Sequence, residues 1–310
     1  MRVIVPGGTG NLGALLRRTL AEQGHEVVAL GRRGGTGVLP WDGRTIGPWA
    51  EAIDGADAVI NLAGRSVDCR YDKTNLTEML VSRTDSTRAV GEAIARARKP
   101  PRVWLQMSTA TIYAHAGPPN DEVDGILGGE EPGVPSYWRF SVEIARAWER
   151  ELAAAQTPST RKVALRTAMV MGDGGVFDVL LRLARLGLGG AIAGGEQFVS
   201  WIHDADFARA VSFLVERDDL DGPFNLCAPE PLPQREFMRA LRRAAGAPFG
   251  LPASRWMVEM GAALMRTDAE LVLKSRRVVP TRLQGAGFRF DFPAWHEASR
   301  DLVARRKAAA

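Results

Sequence analysis

Residues 1–16 read MRVIVPGGTGNLGALL, and the order of residue types in this stretch decides the fold. Arg2 to Val5 carries a short apolar run, the pattern of a strand covered by helices on both faces. Gly7, Gly10 and Gly13 follow directly, and a helical pattern opens at Leu12. Glycines in that position permit a tight strand-to-helix turn and let backbone N–H groups approach a pyrophosphate at the helix N-terminus. The stretch therefore predicts a strand, a phosphate-binding turn and a helix, with Gly7, Thr9, Gly10, Asn11, Leu12 and Gly13 against a dinucleotide.

Working outward, apolar runs recur at Glu26 to Leu30, Ala58 to Leu62, Val103 to Met107 and Val163 to Val170. Between them, apolar residues repeat every three or four positions at Leu12 to Gln23, about Thr74 to Arg98, and Tyr137 to Ala155. This alternation predicts the α/β class, a Rossmann-type doubly wound parallel sheet over residues 1–171. After Met171 the chain turns glycine-rich, at Gly172 to Gly175 and Gly187 to Gly195, with a further helix at about Asp204 to Glu216. Residues 172–310 read as a smaller C-terminal α/β lobe packed on the sheet edge, with a substrate cleft between the lobes. The longest irregular piece, Ala114 to Pro135, is dense in Gly, Pro and acidic residues, and loops of that length are usually functional or mobile.

The second apolar run ends in Leu30-Gly31-Arg32-Arg33, where NAD-selective domains place an acid for the ribose 2′-hydroxyl. An acid would repel a 2′-phosphate, whereas a guanidinium can bind one bidentately. Arg32 and Arg33 thus favour NADP(H) as cofactor over the reading of two solvated surface arginines. Asp42 is placed either at the adenine amino group or simply in a loop, and Leu62, Ala63 and Gly64 are small enough to pass under the cofactor.

Composition narrows the remaining classes. With 45% hydrophobic and 25% charged residues over 310 positions, disorder is excluded. The formal charge of +4 is spread without a basic run, so the expected partners are an anionic cofactor and a small molecule, with no nucleic acid. Only Cys69 and Cys227 are present, too few for a disulfide framework or a zinc spacing, and no metal site is expected. The opening residues lack a signal-peptide pattern and no apolar run reaches the ~18 residues of a membrane span. A cytoplasmic protein without membrane contact is the expectation.

The ordered set Gly7-Gly8-Thr9-Gly10-Asn11-Leu12-Gly13, Asn61-Leu62-Ala63-Gly64, Ser108-Thr109-Ala110-Thr111-Ile112-Tyr113 and Leu165-Arg166-Thr167 resembles the extended short-chain dehydrogenase/reductases, the epimerase/dehydratase group. Ser82-Arg83, Trp148-Glu149, Ser200-Trp201-Ile202-His203, Gly222-Pro223-Phe224-Asn225 and Gly287-Phe288-Arg289-Phe290 look like its atypical epimerase-family branch. That branch is similar to the cell-division-inhibitor-type nucleotide epimerases and carries its own C-terminal domain of unknown function, here about residues 233–303.

The resemblance implies a catalytic Tyr, a Lys four residues on, a Ser or Thr and an Asn. Registered on this chain those positions hold Ser141, Ala145, Thr109 and Arg83, so only Thr109 keeps its expected function. A serine hydroxyl is a much poorer acid than a phenol, and Ala145 offers no charge to help it, which leaves Ser141 little expected part. Tyr137, one helical turn earlier, is the candidate for a displaced phenol, with packing beside Trp138 as the alternative. Tyr113 either lines the nicotinamide pocket or packs in the core. His203 either faces the cleft or is structural. Arg166, inside an apolar strand, needs an anionic ligand or a carboxylate, with Glu143 and Glu149 in reach.

The expected function is an NADP(H)-dependent oxidoreductase or epimerase-like enzyme acting on a small polar or anionic substrate, with Thr109 orienting its oxygen. The alternative is a non-catalytic NADP(H)-binding redox sensor or interaction protein that has lost the Tyr/Lys pair. The helices about Thr74 to Arg98 and Tyr137 to Ala155 offer a homodimer face of the kind used in this superfamily, their apolar stripes serving the core as well.

Overall fold

Val3 and Val5 side chains enter one apolar cluster and Ile4 enters another, the two-residue period of a strand buried on both faces. In the computed structural model, which describes residues 1–115, 117–132, 134–265 and 267–308, that segment is an interior strand of the sheet. The chain forms β1 (Arg2–Pro6), α1 (Asn11–Glu22), β2 (Glu26–Gly31), β3 (Val38–Pro40), β4 (Ala58–Asn61), α2 (Lys73–Arg96), β5 (Val103–Thr109), α3 (Arg139–Ala154) and β6 (Arg161–Thr167). It continues through β7 (Met169–Met171), α4 (Val176–Arg185), β8 (Phe198–Val199), β9 (Trp201–His203), α5 (Asp204–Glu216) and β10 (Gly222–Leu226). The last elements are β11 (Leu232–Pro233), α6 (Gln234–Ala245), α7 (Arg255–Met265), α8 (Glu270–Leu273), α9 (Thr281–Gly285) and α10 (Trp295–Ala308).

Seven strands pair in parallel in the order β3-β2-β1-β4-β5-β6-β10. This is a Rossmann-type order, in which the chain reverses direction across the sheet between β1 and β4. One face is covered by α1 and α5 through Leu16, Leu20, Phe207 and Val211. The other is covered by α2, with Val90 and Ile94 packed on Ile4, Val59 and Trp104.

Most expected elements shift by a residue or two at their ends, and two differ in kind. The apolar run Val163 to Val170 is not one strand, because the chain changes sheets at Ala168. The Ala168 N–H is held by the Leu226 carbonyl at 3.0 Å, and β7 then pairs with β9. The helix expected from Tyr137 begins instead as a 3-10 turn at Ser136–Trp138, with α3 proper starting at Arg139. From beyond Met171, β10 returns to the main sheet as its last strand, so the two lobes are interleaved in the chain.

The C-terminal lobe has its own core, in which Phe237 stacks on Trp295 at 4.0 Å among Met171, Phe177, Trp201 and Leu241. His203 belongs to that scaffold. Its Nδ1 accepts the Ala205 N–H at 3.1 Å and caps α5, while Nε2 meets Asp301 of α10 at 3.0 Å. Burial lowers its pKa, as the neutral ring acting as acceptor requires. α2 and α3 lie side by side, bridged on their outer surface by Arg88 and Glu151 at 2.9 Å. Among the described residues no helix is long and apolar enough to cross a membrane.

Candidate functional site

The glycine turn closes against the end of β4. Gly7 has φ +78°, and a Cβ there would lie 2.8 Å from the backbone of Leu62 and Ala63. A Cβ on Gly13 would sit 2.5 Å from Gly8 Cα. Both positions are bare because backbone meets backbone. Gly10 is bare for another reason: the nearest atom to its missing Cβ is the Gly7 carbonyl oxygen at 3.6 Å, ordinary contact distance. It is the N-cap of the twelve-residue α1, with no side-chain cap and no acid in the first turn. The first N–H groups of that helix carry its positive partial charge and are unspent by side-chain capping. A Cβ-free approach to an uncapped helix N-terminus fits a pyrophosphate.

The other expected cofactor residues gather around this turn. Thr9 packs on Gly31, whose Cβ would lie 2.6 Å from the threonine methyl group, at the point where the chain leaves β2 for Arg32 and Arg33. Both arginines are exposed and make no hydrogen bond or ion pair among the described residues. Asn11 lies beside Gly174, where a Cβ would be 3.1 Å from its amide nitrogen. The Ala63 N–H donates to Asn61 Oδ1 at 3.0 Å, and Asn61 Nδ2 donates to Gln106 at 2.9 Å, which sets the bend that brings Leu62, Ala63 and Gly64 under the turn. Asp42 spends its carboxylate within its own loop, accepting from the Arg44 and Thr45 N–H groups and the Thr45 hydroxyl.

At the end of β5, Thr109 Oγ1 accepts the Thr111 N–H at 3.2 Å, and its hydroxyl hydrogen has no acceptor among the described residues. Ser108 beside it is committed elsewhere: it donates to Glu149 at 2.6 Å. Glu149 on α3 also takes two bonds from Arg166, at 2.9 and 2.8 Å, which identifies the carboxylate that this buried guanidinium requires. Arg166 then donates to the Tyr113 hydroxyl at 2.9 Å, and Tyr113 donates to Asn225 at 3.0 Å. Burial pushes the Tyr113 phenol up to about 12 although Arg166 pulls the other way. Tyr113 is therefore a core member of a polar network that joins α3, β5, β6 and β10. Tyr137 is 48% exposed, edge-on to Trp138 at 6.2 Å, with no hydrogen bond from its hydroxyl among the described residues.

The positions of the superfamily's Tyr and Lys are occupied in two different ways. Ala145 is fully buried among Ala110, Ile112, Tyr113, Cys227 and Val278, leaving no room for an ammonium. Ser141 is hydrogen-bonded to Glu270 of α8, and Glu270 pairs with Lys274 at 3.4 Å, both side chains 1% exposed. Sequence reasoning missed this pair: an acid and a lysine four apart read as a solvated helix pair, and nothing local says that the segment is buried.

Two more cations stand nearby. Arg83 is buried over the Trp148 ring at 4.9 Å and donates only to the Met79 and Arg65 carbonyls, with burial lowering its pKa to about 10. Arg276 donates to Thr111 Oγ1 at 3.1 Å and to the Leu271 and Lys274 carbonyls. Neither forms an ion pair with a carboxylate among the described residues. Burial and then the Glu270 charge raise the Tyr71 phenol, and Arg276 opposes them.

Comparison with known proteins adds the family context. Residues 3–227 match the NAD dependent epimerase/dehydratase family, and residues 254–302 match a domain of unknown function, DUF1731. The epimerase family protein SDR39U1 of Bos taurus is 34% identical, covering 98% of this chain and all of its own length. The epimerase family protein YfhF of Bacillus subtilis is 28% identical over 99% of each chain. Among solved structures, human epimerase family protein SDR39U1 with NADPH superposes with a TM-score of 0.87 at 31% identity, covering 98% of this chain and 99% of that one.

Proposed function

The chain belongs to the NAD dependent epimerase/dehydratase family, and from that premise we propose that it is an NADP(H)-dependent oxidoreductase or epimerase-like enzyme of the extended short-chain type. The observation that carries the reading is Gly10, bare without steric need at an uncapped helix N-terminus. The similar human protein was crystallised with NADPH. Gly7, Thr9, Gly10, Asn11, Leu12 and Gly13 would hold the pyrophosphate, Leu62, Ala63 and Gly64 would pass beneath it, and Arg32 and Arg33 would take the 2′-phosphate. Asp42 would lie on the adenine side.

When bound, the nicotinamide supplies or accepts a hydride. The Thr109 hydroxyl hydrogen orients the substrate oxygen. Arg83, buried, and Arg276, half-buried, have no carboxylate partner among the described residues and favour a small anionic or polar substrate, since an unpaired charge taken from water is costly until an anion meets it. The substrate site lies where the C-terminal lobe, residues 172–310, meets the ends of β4 and β5, and the outer faces of α2 and α3 are the surface on which a homodimer would form.

Fluorescence titration with NADPH and NADH, followed by NADPH oxidation with a panel of aldehydes, ketones and nucleotide sugars, tests this reading. Binding with turnover supports it. Tight NADPH binding with no turnover on any carbonyl favours the alternative, a redox sensor, which the buried alanine at position 145 also suits. Absence of NADPH binding overturns both.

A further inference from the structure

Ser141 Oγ has one hydrogen and two oxygen partners, the Trp138 carbonyl at 2.9 Å and Glu270 Oε1. A protonated Glu270 donates to Ser141, whose hydrogen then goes to the Trp138 carbonyl; an ionised Glu270 accepts that hydrogen instead. The contact therefore survives either protonation state. It is also a designed-in meeting of two lobes: Trp138, Ala269 and Leu273 close an apolar cluster with Val258 and Ala262, which seats α8 on the start of α3.

Stability is a poor account of this arrangement. Desolvating a carboxylate and an ammonium offsets most of their attraction, and apolar replacements of a buried pair are often neutral or stabilising. Moreover Glu270 Oε2 is buried and makes no hydrogen bond among the described residues, which leaves half the carboxyl group unserved. A chain of hydrogen bonds also runs from the pair to Thr109, beginning with the Arg276 guanidinium on the Lys274 carbonyl at 3.2 Å. Arg276, just beyond Lys274, holds Thr111, whose N–H is held by Thr109.

We propose that the C-terminal domain supplies the proton for reduction: Glu270, held by Lys274, recharges the Ser141 hydroxyl, which hands its proton to the substrate oxygen. This rests on the reductase reading above and gives the domain of unknown function a part in it. As the carbonyl carbon accepts a hydride from the reduced nicotinamide, the C=O π pair moves onto oxygen. That oxygen bonds the Ser141 proton, and Ser141 takes the Glu270 proton in turn. Glu270 is left as a carboxylate beside the Lys274 ammonium and is reprotonated from water. Glu270 and Lys274 are positioning residues, acting through Ser141.

The surroundings push the carboxyl group toward its protonated form. Burial raises Glu270, opposed by Lys274, Arg276 and the Ser141 bond. Burial lowers Lys274, helped by the Arg276 charge and opposed by Glu270 and Glu131. Tyr71, Asp268 and His115 are the other titratable groups facing the pair among the described residues, and the Lys274 charge helps burial lower His115.

Infrared difference spectra of the cofactor-free protein between pH 5 and pH 8 read the Glu270 proton directly. The expected result is a buried carboxyl C=O band that titrates above the usual carboxylate range, vanishes in Glu270→Gln and moves to higher pH in Lys274→Met. NADPH oxidation by 9,10-phenanthrenequinone, used as a reactive dicarbonyl probe, should fall about a hundredfold in kcat in Glu270→Gln and in Ser141→Ala, with NADPH affinity unchanged. The pH midpoint of the wild-type rate should match the infrared midpoint. Identical spectra in wild type and Glu270→Gln overturn the proposal, as do unchanged rates and pH profiles in both variants. Failure to bind NADPH overturns the cofactor reading instead, and NADPH bound but never oxidised by any carbonyl overturns the proposal together with the reductase reading.

Discussion

Replacing Gly10 by Val separates a glycine kept for its ligand from a glycine kept for packing. The missing Cβ has only the Gly7 carbonyl oxygen within 4 Å, at 3.6 Å, and the residue's φ of −79° suits any side chain. Valine at an N-cap costs about 1 kcal/mol relative to glycine, and the stiffer unfolded chain gives back roughly 0.4–1 kcal/mol. For a chain this long, Tm should move by no more than about 3 °C. Binding is a different matter, because the isopropyl group fills the path to the first N–H groups of α1. Losing two charge-assisted N–H to phosphate bonds, about 1.5–3 kcal/mol each, weakens NADPH by at least about a hundredfold. Gly13→Ala is the contrast: its Cβ would meet Gly8 Cα at 2.5 Å and the Gly7 oxygen at 2.7 Å, backbone atoms that no rotamer change relieves. That variant should lose about 1–3 kcal/mol or more of stability. Differential scanning fluorimetry with and without NADPH reads both quantities. A Gly10→Val protein that keeps its NADPH shift refutes the assignment of the cofactor to this turn. One that melts as early as Gly13→Ala shows that position 10 is bare for the fold.

Arg32→Glu should erase or invert a preference for NADPH over NADH of at least about tenfold, the worth of one charge-assisted contact; equal dissociation constants in the unmodified protein would refute the role given to Arg32 and Arg33. Thr109→Val keeps the side-chain shape and removes the orienting hydroxyl, so NADPH oxidation should slow on the order of a hundredfold at unchanged NADPH affinity, and an unaltered rate would remove Thr109 from the site. His203 is held neutral with a lowered pKa, so its contribution to stability is complete above the ordinary value near ~6.5 and is lost as pH falls through the folded value. The Tm of His203→Gln should start lower than wild type at pH 7 but fall less by pH 5, and parallel curves for the two proteins would contradict the neutral ring.

What the sequence makes legible is what neighbouring residues determine together. The turn at Gly7 to Gly13 follows from an apolar run, three spaced glycines and a helical period within sixteen residues, and it takes its expected place at the end of β1. Arg166 is readable for a related reason, since a guanidinium in an apolar strand demands a partner, and Glu149 is one of the three acids on the adjoining helix. The break at Ala168 is invisible because apolar residues lie on both sides of it, so the run passes from one sheet to the other without a change of pattern. The Asn225 end of the Arg166 network is equally hidden, being set by a strand that returns from the C-terminal lobe.

Ser141 shows the same limit at the point where it bears on function. Judged by its own helix, a serine in place of a phenol with alanine four residues on is a site stripped of its acid, and the sensor reading follows naturally. The Glu270 carboxyl that meets it comes from 129 residues further along, a contact that no local period encodes. Ala145 fills the usual place of an ammonium with an apolar side chain, while Lys274 brings one from the other lobe to Glu270, the partner of the Ser141 hydroxyl. Loss of a catalytic pair from one helix is thus weak evidence for loss of chemistry when a second lobe packs a buried acid and base on the vacated position. The distinction between enzyme and sensor then rests on a physical property of one group, whether the Glu270 carboxyl gives up its proton within the pH range where NADPH is oxidised.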